Sequence, residues 1–152
     1  MKFIKESHLS ASPSTVFAFH ESPGALQRLT PPGEKLQVVE GGHSLKPGSR
    51  VVLRMSLGPF PITWVAEHVD YDPPHLFSDR QISGPFASWY HKHQFLDAPQ
   101  GGTILRDEVD FSPPLGILGR FLGGWLLRRK LQTMFDFRHD QTRRILESGD
   151  SP

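Results

Sequence analysis

The sequence predicts an α+β fold, a curved antiparallel sheet of about seven strands wrapped around one long C-terminal helix. Three observations predict it. The elements read as one strand, two short helices, six further strands and a helix. Most of the strand-like runs follow one another through short turns containing Gly or Pro, the pattern of antiparallel neighbours. A long run of helical apolar period follows at the end, over about residues 118–146. A sheet of that length twists rather than lying flat, and the helix gives it an apolar surface to curve around.

Residues 2–11 are β-compatible and carry no breaker, so they read as the first strand. It ends at Ser12-Pro13, where Ser12 can cap helix amides and Pro13 suits the first helical position. The short helix that follows carries Val16, Phe17 and Phe19. A second is expected to start the same way at Ser22-Pro23 and to present Leu26 and Leu29 before Pro31-Pro32 stops it. The other strands fall at residues 36–40, 50–57, 62–71, 75–83, 89–96 and 103–111. In the C-terminal helix Leu118, Phe121, Leu122, Trp125 and Leu126 form one stripe. Leu131, Met134, Phe135, Phe137, Thr142, Ile145 and Leu146 continue it less regularly. Gly116, Gly119, Gly123 and Gly124 each cost about 1 kcal/mol relative to Ala, so this stretch reads as a loop or a loosely held helix start.

Bulk properties narrow the function. A chain of 152 residues supports one core, and a single domain over residues 1–152 is expected. With 17 basic and 16 acidic side chains the net charge is +1, so no global field draws the chain to nucleic acid. No cysteine is present, which excludes disulfides, thiolate metal sites and a Cys nucleophile. The N-terminus is charged where an export signal is apolar. The apolar run 115–127 is broken by Arg120 and four glycines, and falls short of the roughly 20 residues that cross a bilayer. A cytoplasmic location is expected.

Strand alternation then sorts the polar residues. Trp89, His91, His93 and Phe95 share one face of their strand, and Trp64, Ala66 and His68 share one face of theirs. Phe77 goes with Asp79, and Leu105 and Val109 flank Asp107. The apolar member of each set marks the inner face. His68, Asp79, His91, His93 and Asp107 therefore point to one interior.

Several local segments carry a family resemblance. They are Ala11-Ser12-Pro13 with Val16-Phe17, His20-Glu21-Ser22-Pro23-Gly24-Ala25-Leu26, and Trp64-Val65-Ala66-Glu67-His68. Leu29-Thr30-Pro31-Pro32, Phe77-Ser78-Asp79, Gly84-Pro85-Phe86 with Trp89-Tyr90-His91-Lys92-His93-Gln94-Phe95, the most specific of them, and Thr103 with Leu105-Arg106-Asp107 complete the set. Together they resemble the START-like or SRPBCC superfamily of polyketide-cyclase-like and coenzyme-Q-binding-protein-like domains. The similarity extends in particular to a bacterial subgroup also found in front of NAD-dependent epimerase-like domains, and it covers nearly the whole chain. It implies a helix-grip fold with a cavity between sheet and helix for lipids, sterols, polyketides or other apolar molecules. It implies no common reaction. No epimerase domain follows, so no dinucleotide cofactor is implied.

The leading functional expectation is binding, transport or sequestration of a small apolar molecule such as a lipid, quinone or polyketide-like compound. Its expected contacts are Trp64, His68, Phe77, Asp79, Trp89, His91, His93, Phe95, Asp107, Leu118 and Leu122. One alternative is a cyclase-like or dehydratase-like enzyme using the interior His and Asp as general acid and base. It ranks lower because nothing in the sequence shows tuned pKa values, and no catalytic residue is assigned. Another is a ligand-free interaction module whose 11 Phe and three Trp fill the interior. A His-x-His pair is a weak metal signal because alternation produces it readily, so neither metal nor cofactor is expected. Arg120, Arg128, Arg129, Lys130, Arg138, Arg143 and Arg144 make the last helix basic. A solvated face ranks ahead of contact with anionic lipid there, and no nucleic-acid partner is expected. Residues 115–119 read as a packed loop or as a gate, with Pro59-Phe60-Pro61 as its facing lip.

Overall fold

Alternating runs separated by tight turns fold into one antiparallel sheet. The computed structural model describes residues 1–148, apart from the side chains of Leu57 and Leu122. Its strands are β1 (Lys2–Leu9), β2 (Gln37–Gly41), β3 (Arg50–Leu57), β4 (Phe60–Asp72), β5 (Leu76–Ser83), β6 (Ser88–Asp97) and β7 (Thr103–Ser112). They lie in the order β1-β7-β6-β5-β4-β3-β2, so β2 to β7 form a meander and β1 closes on β7. The helices are α1 (Pro13–Glu21), α2 (Ala25–Arg28) and α3 (Gly116–Glu147). This is the α+β architecture expected, with strand bounds close to those read from the turns.

Local chemistry explains the junctions. Ser12 caps α1, its hydroxyl accepting from the Thr15 amide at 3.3 Å. β1 stops at Leu9 because the next amide, that of Ser10, turns away to the Glu147 carboxylate at 2.8 Å. The turn between β6 and β7 requires glycine at 102: φ is +80°, and a Cβ there would lie 2.1 Å from the Leu9 carbonyl oxygen. One expected cap is corrected. Ser22 closes α1 rather than opening α2, donating its hydroxyl to the Phe19 carbonyl at 2.5 Å. Gly24, at φ +78°, turns the chain between the two helices, so α2 starts only at Ala25.

The glycine-rich start of α3 is helical, not a loop. Gly119 suits its tight entry, since a Cβ would meet the Pro114 carbonyl oxygen at 1.9 Å. The apolar stripe expected to pack there does not. Leu118 is 67% exposed, Phe121 86% and Trp125 69%. The helix joins the core through Leu127, Leu131, Met134 and Phe135. Helical period alone cannot tell a core-facing stripe from one that lies beyond the sheet surface it would need to cover. Among the described residues no helix is long and apolar enough to cross a membrane.

Among the described residues two of three apolar clusters bracket the site, the third lying on β3 and β4 around Val51, Leu53 and Ala66. One joins Phe3, Trp89, Val109 and Phe111 to Leu131 and Phe135 of α3. The other joins Leu9, Phe77, Phe95 and Leu105 to Val16 and Phe17 of α1. Along β6 and β7 the residues between these clusters are polar, and there the candidate site lies.

Candidate functional site

The register of the central strands brings the site together. His93 pairs with Asp107 across β6 and β7, and His91 pairs with Asp79 across β6 and β5. His68 on β4 pairs with Asp79 from the other side. Asp107 gathers three imidazoles. Its Oδ1 lies 2.8 Å from His91 Nε2 and 2.9 Å from His93 Nδ1, and its Oδ2 accepts from His139 Nε2 at 2.7 Å. A carboxylate only accepts, so each of these ring nitrogens carries its hydrogen. His139 Nδ1 then accepts the Ser7 hydroxyl at 2.8 Å. His93 Nε2 reaches Asp79 Oδ2 at 3.4 Å, so His93 bridges both buried carboxylates.

Electrostatics follow from that geometry. Burial alone would lower the His93 pKa, but the charge and hydrogen bonds of Asp107 and Asp79 outweigh it and the pKa ends raised. Burial would raise Asp107; the His93 charge and the imidazole N–H groups instead hold it well below the usual carboxylate range. Asp79 is lowered in the same way, against its burial, with the His93 hydrogen bond as the largest opposing cause. His91 moves the other way, lowered by burial and by the neighbouring His93 charge. His20 is lowered to about 4, chiefly by burial, while its Nδ1 donates to the Val16 carbonyl at 2.9 Å. Within the cluster the two carboxylates thus favour a charged imidazole at His93, while burial disfavours one at His91 and His20.

Aromatic rings enclose this polar belt. Phe77 stacks on His93 at 4.1 Å between centroids, and Phe135 meets His91 edge to face at 5.2 Å. Trp64 and Trp89 meet edge to face at 5.0 Å. A cavity of about 20 Å³, room for about one water molecule, remains beside His20, Leu29, His93, Leu105, Asp107, Arg138, His139 and Thr142.

The sequence-predicted residues divide clearly. Trp89, His91, Phe95, Asp107, His68 and Phe77 are buried, and Trp64, Asp79 and His93 are half-buried beside them. Leu118 is on the exposed start of α3 and does not join them. The Leu122 side chain lies outside the described residues. Three interior residues were not foreseen: His20, Arg138 and His139. His139 lies four residues after Phe135 and three before Thr142, so the α3 stripe carried a signal for it. His20 stands likewise four residues after Val16. Arg138, four residues after Met134 and four before Thr142, stands on the same stripe, but its charge had placed it with the basic, solvated face. Among possible metal donors, Asp79, His91 and His93 offer one atom each within 4.8 Å of one another.

Fold and site together define a helix-grip protein with a polar belt inside an aromatic core. The family model described as "Polyketide cyclase / dehydrase and lipid transport" matches residues 9–135, and the chain belongs to that family. No curated protein matches the chain. Among solved structures it is similar to a Chromobacterium violaceum protein at 15% identity, covering 96% of this chain and 97% of that one, with a TM-score of 0.72. A Thalictrum norcoclaurine synthase, solved as a point mutant with a transition-state analogue, is 14% identical over 99% of this chain and 96% of its own, with a TM-score of 0.73. A nucleoside-diphosphate sugar epimerase from Corynebacterium glutamicum is 26% identical. That match covers 95% of this chain but 29% of the epimerase, with a TM-score of 0.67.

Proposed function

We propose that the protein binds a small apolar molecule between the sheet and α3, with a polar group of that molecule directed at the buried belt. The observation that carries this reading is a pair of orphaned polar atoms. Trp64 Nε1 and His68 Nδ1 are shielded from solvent and have no hydrogen-bond partner among the described residues. Buried polar groups are normally paired, and leaving one unmade costs about 1–3 kcal/mol, so both atoms favour a molecule that completes them. Family membership supports the same reading. Because the remaining space is water-sized, entry requires side chains or α3 to move. Native mass spectrometry of protein as purified is expected to show an added mass that organic extraction removes. Bare protein from every preparation, with no uptake of added apolar probes, would instead favour the ligand-free module.

A second reading concerns where such a molecule is collected. The start of α3 exposes Leu115, Ile117, Leu118, Phe121, Trp125 and Leu126 beside Arg120, Arg128, Arg129 and Lys130. No acidic residue occurs at positions 111–135. Exposed apolar side chains flanked by cations suit the surface of an anionic bilayer. Co-sedimentation is expected with phosphatidylglycerol vesicles and not with phosphatidylcholine vesicles, and Phe121→Asp is expected to abolish it. Equal recovery with both lipids would sink the idea.

A further inference from the structure

We propose that Arg138 receives the anionic end of the bound molecule, which makes the ligand an apolar carboxylate. This deepens the ligand-binding reading above and rests on it.

The two buried acids of the site are matched. Asp107 meets His91, His93 and His139, and Asp79 meets His93. Arg138 is the exception. Its guanidinium makes no hydrogen bond or ion pair with the described residues, and its Nε is shielded from solvent without a partner. A guanidinium that lines a cavity and has no hydrogen-bond acceptor among the described residues offers its donors to an anion.

The surroundings show why no side chain of the chain itself fills that role. Asp107, the nearest acid on the same cavity, already has both oxygens engaged by imidazoles. Asp107, Asp79 and Glu34, in that order, attract Arg138 only through space. Phe135 lies under the guanidinium, 5.5 Å from ring centroid to Cζ, and holds the group on the cavity side with Leu29, His93 and His139.

The same surroundings select the anion. A guanidinium presents a planar fork that a carboxylate meets with two parallel hydrogen bonds. Two carboxylates already stand in the site, so a single negative charge is repelled less than a double one.

Decanoate and decanol, which share an apolar body, separate the two claims. Calorimetric titration of the full chain is expected to show decanoate binding roughly ten- to a hundredfold more tightly than decanol, the range of a charged hydrogen bond. Arg138→Gln is expected to remove that difference, and Arg138→Lys to keep part of it. Carbon-13 NMR of carboxyl-labelled decanoate bound to unmutated protein gives a readout that needs no variant. The bound carboxyl is expected to titrate at lower pH than in water. Equal affinity for the two compounds, or a carboxyl that titrates as in water, would overturn the assignment of Arg138 while leaving apolar binding intact. Failure of both compounds to bind would overturn the ligand-binding reading itself, and this assignment with it.

Discussion

Replacing Asp107 with asparagine is expected to destabilise the fold by about 3–5 kcal/mol, the cost of breaking a buried ion pair from one side. For a chain of this length that corresponds to a fall in Tm on the order of 10 °C. The variant keeps the shape of the residue and removes the negative charge around which His91, His93 and His139 are arranged. It also leaves an amide N–H₂ facing ring nitrogens that donate.

The loss is expected to depend on pH, with a sign set by two opposed shifts. Asp107 is lowered in the folded protein, so its contribution is present above the ordinary carboxylate pKa of about 4 and is lost as pH falls through the folded value. His93 is raised, so its contribution is complete below the ordinary imidazole pKa of about 6.5 and is lost as pH rises through the folded value. Both contributions are present between about pH 4 and 6.5, and the deficit of the variant is expected to be largest in that interval. Urea denaturation of both proteins across that range checks it. A deficit that stays constant with pH would mean that the His93 charge is not held by Asp107.

The second large effect is expected at Phe135. Truncation to alanine should cost about 3–5 kcal/mol, the range for removing a buried aromatic ring without full collapse of the space. Phe135 is fully buried, 5.3 Å from Phe3 and edge-on to His91. The matching change at Phe121, which is exposed, should stay within about 0.5 kcal/mol. Midpoints of urea unfolding for the two variants give the comparison. Similar losses at both positions would show that the first turns of α3 are packed after all.

Much of this arrangement was legible in the residues. Period-two alternation put Trp89, His91, His93 and Phe95 on one face, and that face is the inner one. The same reasoning oriented Asp79 and Asp107, because each lies two positions from an apolar residue that has to be buried. Ser12-Pro13 marked the start of α1 because a cap acts within one turn of chain. Signals that need a distant partner were weaker. Ser22 looked like a second cap, and only the backbone turn at Gly24 shows that it closes the first helix. The Leu118–Phe121–Trp125 stripe had helical period but no record of where the sheet ends.

By itself, then, the sequence determined the elements, their order and the inward face of each central strand, because turn chemistry and side-chain alternation act over a few residues. Only the tertiary structure decided which groups meet. His139 and Arg138 come from a helix about 30 residues further along the chain than Asp107, and His20 from one about 90 residues before it. Their contact depends on the docking of α1 and α3 against the sheet. That docking, which no local pattern records, joins His139 to Asp107 and leaves Arg138 Nε without a hydrogen-bond partner among the described residues.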